Sequence, residues 1–121
     1  MACAAALATI KLLKENLVDN AATMGEYLKK QLAKLQDKHD CIGDVRGRGL
    51  MVGMEIVKDS SSRTKAPELR NEIVDKAFYK GLIILGCGSN TVRFAPALIV
   101  EKEHIDCCVE ILDEVLTELD A

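Results

Sequence analysis

Apolar positions recur along this chain in two rhythms, and the switches between them mark out its elements. From Met1 to about Lys14 the chain is Ala-rich, with Leu7, Ile10 and Leu13 three residues apart, a helical interval. No capping residue precedes the first apolar position, so the expectation is an entry part-way along a longer helix. Asn16 predicts the cap of a second helix, with Asp19 placed where negative charge suits a helix N-terminus. Leu17, Ala21, Met24, Leu28, Leu32 and Leu35 then follow at steps of three and four and form one stripe. Lys29, Lys30, Lys34 and Lys38 crowd its C-terminal half, as the helix dipole favours, and the predicted end lies near His39.

The rhythm then shortens. Gly43, Gly47, Gly49 and Gly53 make a helix costly, while Leu50, Val52, Met54 and Ile56 alternate with a period of two. This predicts a short strand at about 42–46, a turn or bulge through Gly47 and Gly49, and a longer strand at about 50–57. A polar loop, 58–65, leads to Pro67 at the start of a third helix whose buried face is Leu69, Ile73, Val74, Ala77 and Phe78. Gly81 stops it. Leu82 to Leu85 reads as a buried strand, Gly86 to Asn90 as a turn cluster, and Thr91 to Phe94 as another strand. Glu101, Glu103 and Asp106 open a last helix with the stripe Ile105, Cys108, Leu112, Val115 and Leu119. The order α-α-β-β-α-β-β-α predicts an α+β fold: a small antiparallel sheet with helices packed on one face.

Composition changes this picture little. The 121 residues form one domain, 49% hydrophobic and 29% charged, with Phe78, Phe94, Tyr27 and Tyr79 the only aromatics, so aliphatic side chains build the core. A net charge of −3 without a basic stripe argues against nucleic acid. No apolar run approaches the ~20 residues of a membrane helix, and the first residues lack the basic-then-apolar layout of a signal peptide. A cytoplasmic protein is expected. Five cysteines (Cys3, Cys41, Cys87, Cys107, Cys108) without C-x-x-C spacing, and two separated histidines, give neither a metal site nor a disulfide framework.

Candidate chemistry is correspondingly sparse. The Ser60–Ser62 run has no nucleophile signature and reads as solvated loop. His39, after a basic helix end, is expected to cap that end or lie at the surface, and His104, in a first helical turn, is expected at the surface. In the vicinal pair Cys107–Cys108 one thiol should point inward. Arg46-Gly-Arg-Gly-Leu50 lacks the Lys-Ser/Thr that completes a phosphate loop. Arg93 is different: it stands between apolar Val92 and Phe94, so its guanidinium needs an anionic partner. That partner is either a carboxylate of this chain, as a structural ion pair, or the carboxylate of a ligand, which arginine grips through two parallel hydrogen bonds.

Four segments in order and at similar spacing carry a resemblance. Cys3-Ala-Ala-Ala-Leu-Ala-Thr-Ile10, Ile42-Gly-Asp-Val-Arg-Gly-Arg-Gly-Leu-Met51 with Val52-Gly-Met-Glu-Ile56, Gly81-Leu-Ile-Ile-Leu85 and Val92-Arg-Phe-Ala-Pro96 together closely resemble the C-terminal segment of class III aminotransferases, above all the 4-aminobutyrate aminotransferases. The likeness runs from Ala2 to about Leu119.

The resemblance implies the C-terminal small domain of the aspartate-aminotransferase-like fold, spanning 1–121, with the preceding cofactor domain absent from this chain. It implies a pyridoxal-phosphate enzyme, usually a homodimer, that moves an amino group from a small amino acid to 2-oxoglutarate or another 2-oxo acid. The Schiff-base lysine and most phosphate contacts belong to the large domain, so no lysine here takes that role. No catalytic, cofactor-binding or metal-binding residue is expected in this chain, which alone should bind no cofactor and be inactive. Arg93 matches the family's small-domain arginine for the substrate carboxylate. Ala97 stands where the family often has a second proline, which loosens the turn after Arg93. Alternatives within the fold are acetylornithine or ornithine aminotransferase and a semialdehyde aminomutase; outside it, a non-catalytic carboxylate-binding module.

Overall fold

The computed structural model describes residues 1–119. Its elements in chain order are α1 (Ala2–Leu12), a π-helical turn (Leu13–Leu17), α2 (Val18–Lys38), β1 (Ile42–Arg48), β2 (Met51–Ile56), α3 (Pro67–Tyr79), β3 (Leu85–Cys87), β4 (Thr91–Phe94) and α4 (Lys102–Glu118). The expected α-α-β-β-α-β-β-α order is present, with one correction at its start. Asn16 caps nothing, because α1 runs into α2 through the π-turn without leaving helical geometry. A π-turn holds one extra residue, so the helix absorbs the irregularity that looked like a boundary.

The four strands form one antiparallel sheet in the order β1-β2-β4-β3. Val52, Met54 and Ile56 of β2 and Val92 and Phe94 of β4 send their side chains to one face and are buried there. Leu28, Leu32 and Leu35 of α2, Ile73 and Ala77 of α3, and Leu112, Val115 and Leu116 of α4 close over them in a single core. The opposite face carries no helix, and Arg46, Arg48, Met51, Leu85, Cys87 and Arg93 lie exposed on it. Alternation along each strand produces this division.

The β1–β2 turn is tighter than the glycine spacing implied. β1 continues through Gly47 to Arg48, and only Gly49 and Leu50 turn the chain, with Gly49 in the left-handed region at φ 55°. At the other hairpin, Leu82–Leu85 is not a buried strand. Ile84 is buried, but Ile83 and Leu85 are 76% and 55% exposed, and pairing starts only at Leu85, so Gly86 and Cys87 belong to β3. Phe78, expected in the core, is 61% exposed on α3. No helix among the described residues is long and apolar enough to cross a membrane.

His39 caps α2, as one of its two expected roles requires, but it does not lie at the surface. It is buried, and its Nε2 lies 2.7 Å from Asp113 of α4, whose carboxylate also accepts from Lys38 at 2.6 Å. The helix-terminal pair therefore ties α2 to α4. Hydrogen bonds from Lys38 and His39 hold the Asp113 carboxyl below its ordinary 3.8. A depressed carboxylate stabilises the fold above its unfolded pKa, and loses that contribution as pH falls through the folded value. Urea midpoints of the chain and of Asp113→Asn should therefore differ at neutral pH and converge only as pH falls below 3.8 and through the folded value. A gap of constant size would remove this role.

Candidate functional site

The expected carboxylate-seeking residue sits on β4. Because Val92 and Phe94 face the helices, Arg93 necessarily faces the open side of the sheet, where it is exposed. Its guanidinium makes no hydrogen bond or ion pair with the described residues. Among the described residues the internal ion pair that the sequence left open is not formed, and a charged planar donor group lies exposed on the sheet.

Three contacts hold β4 in place, and sequence reasoning singled out none of them. Asn90, 3% exposed, donates from Nδ2 to the Ile56 carbonyl at 2.7 Å, while its own carbonyl accepts from Ile56 N–H at 2.7 Å. Arg70 of α3 lies over Gly86 and donates to the Thr91 carbonyl at 3.2 Å. Beyond β4, Asn20 of α2 donates to the carbonyls of Leu98 and Val100 at 2.7 and 3.1 Å, and Val100 N–H bonds Ala97 O at 2.9 Å. The turn with Ala97 in place of proline is therefore held by hydrogen bonds. The only signal of Asn90 and Arg70 was a polar residue beside an apolar run, which many surface positions share.

The remaining candidates resolve simply. Asp59 accepts from Ser61 and Ser62 at 2.5 to 2.7 Å, which organises the 58–65 loop and lowers its carboxyl to about 2. His104 is exposed, and its Nδ1 accepts from the Glu101 N–H at 3.2 Å, a helix-start contact. Cys107 is exposed and Cys108 half-buried, as the vicinal pair predicted. Burial pushes the Cys41 and Cys108 thiols up to about 11. Alkylation of the native chain at neutral pH should therefore mark Cys3, Cys87 and Cys107, and reach Cys41 and Cys108 only after denaturation. Mass spectrometry of the labelled peptides checks this.

Residues 1–116 match the family model described as aminotransferase class-III. The chain belongs to the class III aminotransferases. It is 41% identical to the mitochondrial alanine–glyoxylate aminotransferase 2 of Pongo abelii, covering 98% of this chain and 24% of that protein. The 5-aminovalerate aminotransferase of Pseudomonas aeruginosa is 40% identical, with 98% and 29% covered. A Bacillus anthracis aminotransferase structure superposes with a TM-score of 0.90 at 32% identity over 97% of this chain and 28% of that one. The fold is therefore part of the aspartate-aminotransferase-like fold. The chain spans about a quarter of the length of these relatives.

Pyridoxal phosphate, the cofactor that class III aminotransferases imply, finds no fitting set of residues in either hollow among the described residues. A cleft of about 210 Å³ beside β4 is bordered mainly by apolar side chains, among them Leu28, Ile84, Phe94 and Pro96, with Arg93 and His104 as its basic residues and no lysine. A hollow beside the π-turn is bordered by Asp19 and Glu101, which repel a phosphate. Neither offers an amine and a phosphate cradle together.

Proposed function

We propose that this chain is the C-terminal small-domain portion of a 4-aminobutyrate-type aminotransferase, one that passes the amino group to 2-oxoglutarate, and that Arg93 grips the substrate carboxylate. The observation that carries this reading is the exposed Arg93 guanidinium, without a partner among the described residues, on the open face of the sheet. The 5-aminovalerate relative, named for an amino acid with a terminal amine, supports an ω-amino donor. The cofactor, held by residues outside this chain, supplies the electron sink of the reaction. Arg93 contributes binding and orientation: two charge-assisted hydrogen bonds fix the carboxylate, and with it the direction of the rest of the substrate.

An enzyme made of this chain and its cofactor-binding part tests the role. Arg93→Ala removes hydrogen bonds to a charged group worth about 2–3 kcal/mol, so the KM for 2-oxoglutarate should rise on the order of 10²-fold. Turnover of an amine lacking a carboxylate should change little in its own half-reaction. Equal losses with both substrates would remove Arg93 from carboxylate binding. The 121-residue chain alone should show no turnover, and activity from it would overturn the small-domain assignment.

A further inference from the structure

The helix-free face of the sheet has a gap beside Arg93. The strand registers place Arg46 of β1, Gly53 of β2, Arg93 of β4 and Leu85 of β3 directly opposite one another, so the four positions form one row across the sheet. Directly paired residues of antiparallel strands share a face. Gly53 therefore leaves bare backbone between two arginines whose Cα atoms stand two strand spacings apart, about 10 Å.

Glycine weakens a strand interior, and its presence usually marks a bulge, a bend or a close approach. At the other seven glycines this chain supplies a reason. Gly49, Gly81 and Gly88 have positive φ, and a Cβ on Gly25, Gly43, Gly47 or Gly86 would come within 3.0 Å of other atoms of the chain. Gly53 has neither. Its φ is ordinary, the β2–β4 register is unbroken, and the nearest neighbours of a Cβ would be the Thr91 methyl at 3.2 Å and the Arg46 carbonyl at 3.9 Å. The closer of these is a side-chain methyl, and the carbonyl stands at an ordinary contact distance. Arg46 is meanwhile engaged by Asp44 of its own strand at 2.9 Å and by Glu55 of β2 at 3.8 Å. The guanidinium of Arg93 has no such restraint.

We propose that Gly53 is a specificity-determining position: its missing side chain is the floor on which the aliphatic segment of a small unbranched carboxylate lies while Arg93 holds the carboxylate and Arg46 walls the far side. This rests on the reading of Arg93 as the carboxylate-binding residue. It gives that reading a shape, because an unbranched chain lies flat over bare backbone, whereas a side chain at position 53 occupies the same volume. The glycine is kept against the local preference of a strand for β-branched residues.

The test is a titration of the isotope-labelled 121-residue chain with sodium glutarate at constant ionic strength, followed by NMR at the Arg93 Nε–Hε and Gly53 amide signals. In the unsubstituted chain both signals should shift along one saturable curve with a millimolar midpoint. Absence of any shift overturns the Arg93 reading and this one with it. Arg93→Gln should abolish the curve, and unchanged binding there refutes the carboxylate role of Arg93 itself. Gly53→Val combined with Thr91→Ser, which makes room for the new side chain, should keep the dispersed spectrum of the folded chain and weaken binding at least about tenfold. Gly53→Ala on the same background should fall between, and Thr91→Ser alone should match the unsubstituted chain. If the Gly53 variants bind as well as Thr91→Ser while Arg93→Gln does not bind, Arg93 stands and the floor at Gly53 is refuted.

Discussion

Gly25→Ala should destabilise this chain by about 3 kcal/mol or more, although alanine is the better helix former by roughly 1 kcal/mol. Gly25 is buried in the middle of α2 at the point where the helix crosses the β1–β2 turn. A Cβ built there falls inside the carbonyl group of Gly49 and 2.8 Å from its Cα. Both partners are backbone, so no side chain can rotate away. Either the helix lifts off the hairpin, uncovering the contact of α2 with β1 and β2, or the turn distorts at a residue already in the left-handed region. Urea denaturation measures the cost. A midpoint at or above that of the unsubstituted chain would show that the crossing is loose. The outcome also bears on Arg-Gly-Arg-Gly-Leu50, whose glycines serve close packing and turning.

The second large effect is expected in the core beneath the sheet. Leu112 of α4 is fully buried within the cluster that joins all three packed helices to β2 and β4. Truncation to alanine removes its transfer free energy and leaves a cavity that the sheet and two helices cannot easily collapse, a loss of about 2–5 kcal/mol. Against a usual domain stability of about 5–15 kcal/mol this is a large fraction. The denaturant midpoint should fall with little change in slope, because the unfolded surface is almost the same. A drop smaller than about 1 kcal/mol would mean that α4 repacks around the hole. By contrast Leu7→Ala, on α1 where no residue is buried, should leave the midpoint nearly unchanged.

Much of the fold was legible because the buried stripes are long. Five stripe positions on α2, from Ala21 to Leu35, and the alternation of Val52, Met54 and Ile56 each repeat their period often enough to outweigh local noise. The parts that misled were short or depended on distant partners. Asn16 and Asp19 carry a local cap signal, yet the backbone there continues through a π-turn, which no residue pattern announces. Four apolar residues, Leu82 to Leu85, looked like a buried strand, but only Ile84 among them lies in the core. The capping role of His39 was legible from the helix end, but its burial was not, because its partner Asp113 lies 74 positions away. The site divides in the same way. Arg93 was visible from its two apolar neighbours, whereas Gly53 and Arg46 join it only through strand register, which a single sequence does not display.

The placement of β2 constrains how this chain tolerates change in length. It is hydrogen-bonded on both sides, to β1 and to β4, and its successive residues belong alternately to the interior and to the open surface. Adding or deleting one residue within Met51–Ile56 exchanges the two sets, driving Glu55 inward and Met54 out, and the error propagates through both ladders. Related chains that drift in length therefore have to do so in the 58–65 loop or past the helix ends. Odd-numbered insertions in the central strand are closed to them.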